Sequence, residues 1–259
     1  MHELRKYLKN PSADVFEKAG ESDQRKGVEA PPLEKAIPEG VTIIPLVPRD
    51  RISLGHMPLI QAIGDRKSHR AYTDEPLTLE EMSYLLWATH GIRKIHPKRI
   101  HAFRTVPSGG CRHPHETYLR INNVESLPSG LWRYSALEHA LVSVWEERPA
   151  DSPNLTDICY GQQFVGKAAA TFIWTAIPYR TEWRYGPDSL KDILITSGHI
   201  CQNLYLACES IGAGTCAIVA YDQDKLEPFL GVDGHEEIAL YVSPVGKVKK
   251  GSTSPDDRY

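Results

Sequence analysis

Apolar residues recur with helical spacing between residues 79 and 90 of the 259-residue chain. The segment begins at a Thr78-Leu-Glu-Glu81 capping box, in which the threonine hydroxyl and the glutamate carboxylate can satisfy each other's free backbone amides. Gly91 follows the last apolar turn, as is usual after a helix. We therefore predict a helix here. A shorter one is predicted over residues 58–65, where a proline occupies the first turn.

A second, longer helical pattern covers residues 188–211. Asp188 is the expected N-cap and Gly212 the expected C-terminal stop. The apolar side is broad and includes Leu190 and Leu194, so we expect this helix to contact other elements on more than one side.

Alternating or continuous apolar runs predict strands between the helices. They cover residues 116–121, 130–134, 140–145, 168–177, 215–220 and 237–242, with a capped helix over 222–230. Runs of strands mixed with helices in this way are typical of an α+β domain.

Residues 1–57 differ from the rest of the chain, and we divide it into an N-terminal extended arm (1–57) and a globular domain (58–259). Five prolines between residues 31 and 48 make the arm too proline-rich for helix. The apolar stretch 41–47 favours an arm packed on a neighbouring surface over a disordered tail. A short separate helix is expected in the first ten residues.

Composition and charge exclude several classes of function. The hydrophobic content of 41% suffices for a full core, and the net charge of −3 argues against general nucleic-acid binding. No apolar run is long enough for a membrane span, and the charged N-terminus lacks a signal-peptide core. We expect a cytoplasmic protein with no membrane partner. The five cysteines contain no CxxC pair and predict free thiols, with Cys201 and Cys208 buried on one helix face.

The segment Asp65-Arg-Lys-Ser-His-Arg70 is rich in hydrogen-bond donors at the junction of two predicted helices. Guanidinium, ammonium and hydroxyl groups at one turn suit a phosphate with several acceptor oxygens. A solvated basic loop would have the same composition, so the motif alone leaves both interpretations open.

Two glycine-rich segments could lie against a flat ligand. In Pro107-Ser-Gly-Gly-Cys-Arg-His-Pro114, adjacent glycines allow close approach of the backbone, although a plain turn has the same signature. In Ile211-Gly-Ala-Gly-Thr-Cys216, the first glycine also serves as a helix stop. The second segment is not a dinucleotide fingerprint, because it follows a helix and lacks GxGxxG spacing.

Metal and nucleophile chemistry are not supported by the motifs. His113 and His115 flank Pro114, and no HExxH or Cys/His ligand spacing is present, so we expect no metal. No cysteine has a motif that orients a base, and a GxSxG hydrolase elbow is absent.

Taken in order, four segments resemble the nitroreductase superfamily, and within it the branch of SagB-type azoline dehydrogenases. They are the Arg66-Lys-Ser-His-Arg70 segment with the helix that follows it, "PSGGCRHP", "TSGHICQNLYLACESIGAGTCAI" and "ALYVSPVGKVKK". The similarity spans roughly residues 58–250. It implies an α+β fold with a mainly antiparallel central sheet wrapped by helices, and an intertwined homodimer with FMN at the subunit interface.

The resemblance also implies roles for individual residues. Those implied to hold the flavin phosphate, ribityl chain and pyrimidine edge are Arg66, Lys67, Ser68 and Arg70, with Lys247 or Lys249 completing the phosphate clamp. Those implied to line the isoalloxazine are Pro107, Ser108, Gly109 and Gly110 of the partner subunit, with Gly212, Ala213 and Gly214 along the other side. Hydride would pass at flavin N5, and no residue need be a nucleophile. The long helix would be a main dimer contact.

The substrate side is less defined. Arg112, His113, Arg184 and Tyr185 flank the flavin-facing segments and are candidates to meet a small-molecule substrate, or they are structural polar residues. One hypothesis is reduction of nitro, quinone or similar acceptors with NAD(P)H as a transient electron donor. A second is oxidation of a C–N or C–C bond in a metabolite or a peptide-derived azoline, with electrons passed to oxygen. A third is a non-catalytic flavin-binding protein that keeps the fold.

Overall fold

The computed structural model describes residues 5, 7–98, 100–145 and 153–249. The strands are β1 (Ile43–Pro45), β2 (Ile92–Ile95), β3 (Ala102–Arg104), β4 (His115–Ile121), β5 (Gly130–Ser135), β6 (Ala140–Trp145), β7 (Ala170–Ala176), β8 (Ala213–Thr215) and β9 (Ile238–Lys247). The helices are α1 (Ala13–Ala19), α2 (Leu59–Asp65), α3 (Leu79–His90), α4 (Leu155–Ile158), α5 (Gln163–Gly166), α6 (Tyr179–Tyr185), α7 (Ser189–Glu209) and α8 (Gln223–Leu230).

Seven of these strands form one sheet in the order β1-β6-β5-β4-β7-β9-β8. Every neighbouring pair in it is antiparallel. Strands β2 and β3 form a separate hairpin. The α+β fold with a mainly antiparallel sheet, expected from the sequence, is confirmed.

The sheet has a hydrophobic core on each face because side chains alternate along its strands. Leu119 of β4 and Phe172 of β7 point to the side covered by α3 and α7. Their neighbours Tyr118 and Ile173 point to the side covered by α4, α5 and α8. Helix α7 is therefore anchored on the sheet along one side, which fixes its direction across the molecule.

Helices α2, α3, α7 and α8 form where the apolar spacing predicts them. In α3 the capping box is complete, with Thr78 Oγ1 accepting from the Glu81 amide and Glu81 Oε2 accepting from the Thr78 amide. At α7, Asp188 occupies the N-cap position but makes no side-chain capping bond. Helix α7 ends at Glu209, one turn before the glycine expected to stop it.

The prediction of a strand over residues 215–220 was wrong. Strand β8 (Ala213–Thr215) joins the sheet before this segment. Within residues 216–220 only Ile218 pairs with the sheet again, opposite Val242. The backbone amide of Ala217 donates to the Tyr205 hydroxyl, 2.9 Å away, instead of to β9. This bond to α7 turns the chain out of the sheet.

The proline-rich N-terminal segment packs on the globular domain of its own chain. Its apolar stretch supplies β1, which extends the sheet at β6. The buried Glu34 carboxylate accepts from the Ser135 hydroxyl and the Ala136 amide. The helix expected in the first ten residues lies largely outside the described residues, while α1, which was not predicted, occupies Ala13–Ala19.

Buried side chains hold several backbone carbonyls of the same segment. Arg104 donates to the Leu33 carbonyl, Arg133 to the Ala36 carbonyl, and the Trp183 indole to the Val28 carbonyl at 3.0 Å. Residues 28–36, which we call the strap, are therefore fixed mainly through their main chain.

Cys201 and Cys208 are buried on α7, as predicted, and both are free thiols. Burial raises the pKa of the Cys201 thiol to about 12, which suits a packing role. In the part of the chain that is described, no helix combines the length and apolarity needed to cross a membrane.

Candidate functional site

A cleft of about 990 Å³ opens where α2 ends, α7 ends and β8 meets β9. Among the residues that line it are Arg66, Lys67, Gly212, Ala213, Lys247 and Lys249. The first and third chemistry-bearing segments of the sequence, residues 65–70 and 211–216, thus meet in one cleft together with the C-terminal lysines.

Arg66 and Ser68 are positioned by Tyr205 of α7. The Arg66 guanidinium lies over the Tyr205 ring, 5.4 Å from its centroid. The Ser68 hydroxyl is 3.1 Å from the Tyr205 hydroxyl. A cation and a hydroxyl are thereby held at the cleft before any ligand enters, which lowers the entropic cost of binding one.

Lys67 and His69 are fixed from the other side of the same turn. The Lys67 amide donates to Glu209 Oε1 at 3.3 Å, and the His69 ring nitrogen Nε2 is 3.5 Å from the same atom. The His69 amide donates to the Thr215 carbonyl at 2.9 Å. Residues 66–69 therefore run from the end of α7 to the start of the sheet. Arg70 is exposed beyond them and is not among the residues that line the cleft.

The two C-terminal lysines differ in their surroundings. The Lys247 ammonium forms an ion pair with Glu81 of the α3 capping box and also donates to the Ile211 carbonyl at 3.2 Å. Lys249 lines the cleft two residues further along. The charge of Lys247 is thus already paired within the protein, whereas no ion pair with Lys249 is seen among the described residues.

Gly212 and Ala213 also line the cleft, and Gly214 follows them in β8. Gly212 has φ +67°, a left-handed conformation that a residue with Cβ adopts only with strain, and it lies open to solvent. A Cβ on Gly214 would lie 2.5 Å from the His69 ring. Glycine at this position lets the 66–69 turn pack directly on β8.

The second glycine-rich segment lies elsewhere, at the start of α7. The Gly109 amide donates to Asp192 Oδ1 at 3.1 Å, and a Cβ on Gly109 would lie 2.6 Å from that oxygen. Burial raises the pKa of Asp192, against the opposing effect of this hydrogen bond. Gly110 has φ +54°, and a Cβ there would lie 2.7 Å from atoms of both Arg184 and Tyr185. These two substrate-side candidates thus lie beside the 107–110 segment, as the sequence indicated.

The separation of the two half-sites follows from the length of α7. Gly109 contacts Asp192 and Lys67 contacts Glu209, which lie 17 residues apart on one helix, about 25 Å at 1.5 Å per residue. An isoalloxazine ring cannot bridge them. Within one chain, the phosphate-binding segment and the 107–110 segment do not form one site.

Arg112 and His113 are buried, so of the two interpretations left open for them the structural one is favoured. Arg112 donates to the carbonyls of Arg180 and Ile100, each at 2.7 Å, and stacks over Trp183. Burial, with the charge of Arg104, lowers the pKa of His113 to about 2, so its ring is neutral.

Further histidines surround His113 without forming a metal site. The His90 ring makes edge contacts with the rings of His113 and His115, at centroid separations of 6.0 and 6.4 Å. His115 Nε2 is 2.7 Å from the Ser197 hydroxyl. Among the described residues, no group of three or more His, Cys, Asp or Glu side chains is arranged to hold a metal ion.

Sequence reasoning missed Tyr205, Glu209 and Asp192, which position the candidate ligands. Tyr205 and Glu209 are four residues apart, hence neighbours on one helix face. Their spacing on the last turns of the predicted helix, close to the glycine-rich segment, was a usable signal. Asp192 had no such signal, because its partner Gly109 is 83 residues away.

Comparison with known proteins identifies the family of the chain. Residues 63–247 match the model of the Nitroreductase family. The chain is 30% identical to a Methanocaldococcus jannaschii protein described as a nitroreductase, over 182 residues that make up 70% of this chain and 87% of that protein.

Solved structures share the fold. A crystal structure described as a Ralstonia eutropha nitroreductase has a TM-score of 0.65 at 25% identity, covering 85% of this chain and 98% of that one. The E. coli microcin synthetase McbBCD complex, with truncated pro-MccB17 bound, gives a TM-score of 0.56 at 19% identity over 95% of this chain and 86% of that one. At that identity the second likeness shows the fold alone.

Proposed function

We propose, from the premise that the chain belongs to the nitroreductase family and is an FMN-dependent oxidoreductase, that it works as a homodimer with FMN at the subunit interface. It takes electrons from NAD(P)H and passes them to a nitro, quinone or similar small-molecule acceptor. The globular domain from residue 58 binds the flavin, and the N-terminal arm supports it.

The cleft at the end of α7 fits the phosphate end of FMN. Arg66, Lys67 and Lys249 bring cationic groups to its lining, and the Ser68 hydroxyl stands beside them. The lining also includes carboxylates, but Glu209 is already engaged by the Lys67 amide. A phosphate dianion would accept charge-assisted hydrogen bonds from Arg66, Lys67 and Lys249. When bound, FMN supplies hydride exchange at its N5 atom.

The homodimer is proposed because the two half-sites lie at opposite ends of α7. A two-fold axis across this helix would place the 107–110 segment of one protomer against the 66–70 segment of the other. Leu190, Leu194 and Ile195 on α7 are 47%, 53% and 51% exposed, so an apolar surface is available for that contact. We assign Pro107, Ser108, Gly109 and Gly110 to the isoalloxazine across the interface, and Gly212, Ala213 and Gly214 to its other side.

Arg66→Ala should leave the protein largely without flavin. The substitution removes a charge-assisted phosphate contact worth about 2 kcal/mol or more, roughly a 30-fold loss of affinity. FMN content per chain, measured by absorbance of the flavin released on denaturation, reports the effect. Wild-type protein should purify yellow, and Arg51→Ala, on an exposed arginine outside the cleft, should stay yellow. Equal flavin content in both variants would refute the phosphate assignment.

Anaerobic addition of NADPH or NADH should bleach the bound flavin within the turnover time, and a nitro or quinone acceptor should restore the colour. Reduction by NAD(P)H needs no separate nucleotide domain, because the nicotinamide can stack on the open flavin face. If NAD(P)H leaves the flavin oxidised under anaerobic conditions, the protein is instead a dehydrogenase whose flavin is reduced by another substrate.

A mixed dimer of Arg66→Ala and Gly109→Val chains should regain half of the wild-type flavin content. Each homodimer carries two damaged sites, whereas the mixed dimer has one site with both defects and one with neither. The chains are co-expressed with different affinity tags and the mixed species is isolated before FMN is measured. Recovery of no flavin, with unchanged thermal unfolding of the variants, would show that both segments do not serve one shared site.

A further inference from the structure

A second cleft, of about 620 Å³, begins at Pro107 and Ser108 and extends along the side of α7 to Asn203. Its walls are α3, the β2–β3 hairpin and residues 105–113. Pro107 and Ser108 line it and are also the residues assigned above to the flavin ring. Anything bound in this cleft would therefore lie next to the reactive face, if the proposed function holds.

The lining of this cleft is cationic and aromatic. Arg93 lines the cleft. Its Nε donates to the Arg104 carbonyl at 2.8 Å, which fixes the direction of the guanidinium. Trp87 and Phe103 provide flat apolar surface, and Phe103 is 37% exposed. None of the residues that line it, in the part of the chain the structure describes, is an aspartate or glutamate. The first cleft, in contrast, includes Asp65, Glu75 and Glu209.

The charge around the cleft has the same sign. Residues 91–115 contain arginines, lysines and histidines but no aspartate or glutamate, in a chain whose net charge is −3. Lys94 and Lys98 of the hairpin are exposed. A concave surface lined by one sign of charge concentrates ligands of the opposite sign.

We propose that this cleft binds a planar anion, of the class of aromatic carboxylates, and that the physiological acceptor carries such a carboxylate beside its nitro or quinone group. The ring packs on the exposed Phe103 beside Trp87, and the carboxylate pairs with Arg93. That the bound molecule is the substrate rests on the proposed flavin function. Its binding to the cleft can be measured without turnover.

The test is calorimetric binding of benzoate and of its neutral isostere benzamide to the flavin-loaded full-length protein. Benzoate should bind about tenfold more tightly, as a charge-assisted contact provides. Arg93→Gln should remove this preference. Lys94→Gln, the adjacent exposed cation that does not line the cleft, should retain it. Phe103→Ala should weaken both ligands, which locates them in the cleft.

Equal affinities for the two ligands in the wild type, or equal losses in the Arg93 and Lys94 variants, would overturn the proposal. Thermal unfolding of each variant shows whether it is folded, and the exposure of Arg93 and Phe103 makes misfolding of both unexpected. Flavin content is measured on the same samples. Protein without flavin that still prefers benzoate would contradict the proposed function and support the anion site, so the two failures are distinguishable.

Discussion

Lowering the pH below about 6.5 should unfold this protein steeply, by about 4 kcal/mol of unfolding free energy per pH unit. The reason is a group of three buried histidines, His90, His113 and His115. Burial, reinforced by the charges of Arg104 and Arg180, lowers the pKa of His113 to about 2 and that of His115 to about 3, and lowers the pKa of His90 well below its ordinary value.

The direction of the effect follows from proton uptake. Each of these histidines has a lower pKa in the folded chain than in the unfolded chain, where it is about 6.5. Between these values the unfolded state binds protons that the folded state rejects, so acid favours unfolding. The stability is complete above about pH 6.5 and falls continuously below it, since three protons are taken up on unfolding.

Urea unfolding between pH 5 and pH 8 measures this slope. His115→Gln should reduce it by about one third, since one titrating group is removed. His235→Gln is the matched control, because the His235 side chain is 87% exposed and should not affect the slope. A free energy of unfolding that stays constant from pH 7 to pH 5 would contradict the prediction.

Replacing Glu116 with glutamine should destabilise the protein by about 3–5 kcal/mol, the usual cost of leaving buried charges without their partner. The Glu116 carboxylate is buried between Arg180, at 2.6 Å, and Arg133, at 3.3 Å. It also accepts from the Lys35 amide at 2.9 Å. Burial alone would raise the pKa of Glu116, but the two arginines outweigh it and hold the pKa below its ordinary value.

Both arginines remain buried after the substitution, and the amide cannot neutralise them. The change is measured as the unfolding free energy in urea at neutral pH and one fixed protein concentration, since a dimer's stability depends on concentration. Glu125→Gln, at an exposed site, is the control. A loss below about 1 kcal/mol for Glu116→Gln would mean that solvent or a neighbouring group compensates the arginines.

Local signals in the sequence were sufficient for much of the fold. The helix after Thr78 was predictable because a capping box and helical apolar spacing depend only on neighbouring residues. The strand at 215–220 was misplaced because the bond that ends it, from Ala217 to Tyr205, joins the chain to a different element. The local propensities of residues 215–220 give no indication of such a contact.

The candidate site was predictable as a set of segments but not as a geometry. The donor-rich turn at residues 66–69 and the glycine at 212 meet at one cleft, and Gly214 packs behind the turn on His69. Their distance from residues 107–110 depends on the direction and length of α7, which only the three-dimensional structure provides. The choice between Lys247 and Lys249 likewise required the ion pair with Glu81.

The strap has a consequence for how this protein can diverge. Its carbonyls at Val28, Leu33 and Ala36 accept from buried side chains of the domain, and every amino acid offers the same carbonyl. Substitutions along the strap can therefore accumulate while its path over the sheet is preserved. We expect relatives to share the path of this segment more than its amino-acid sequence. Glu34 and Lys35 are the positions where side-chain identity matters.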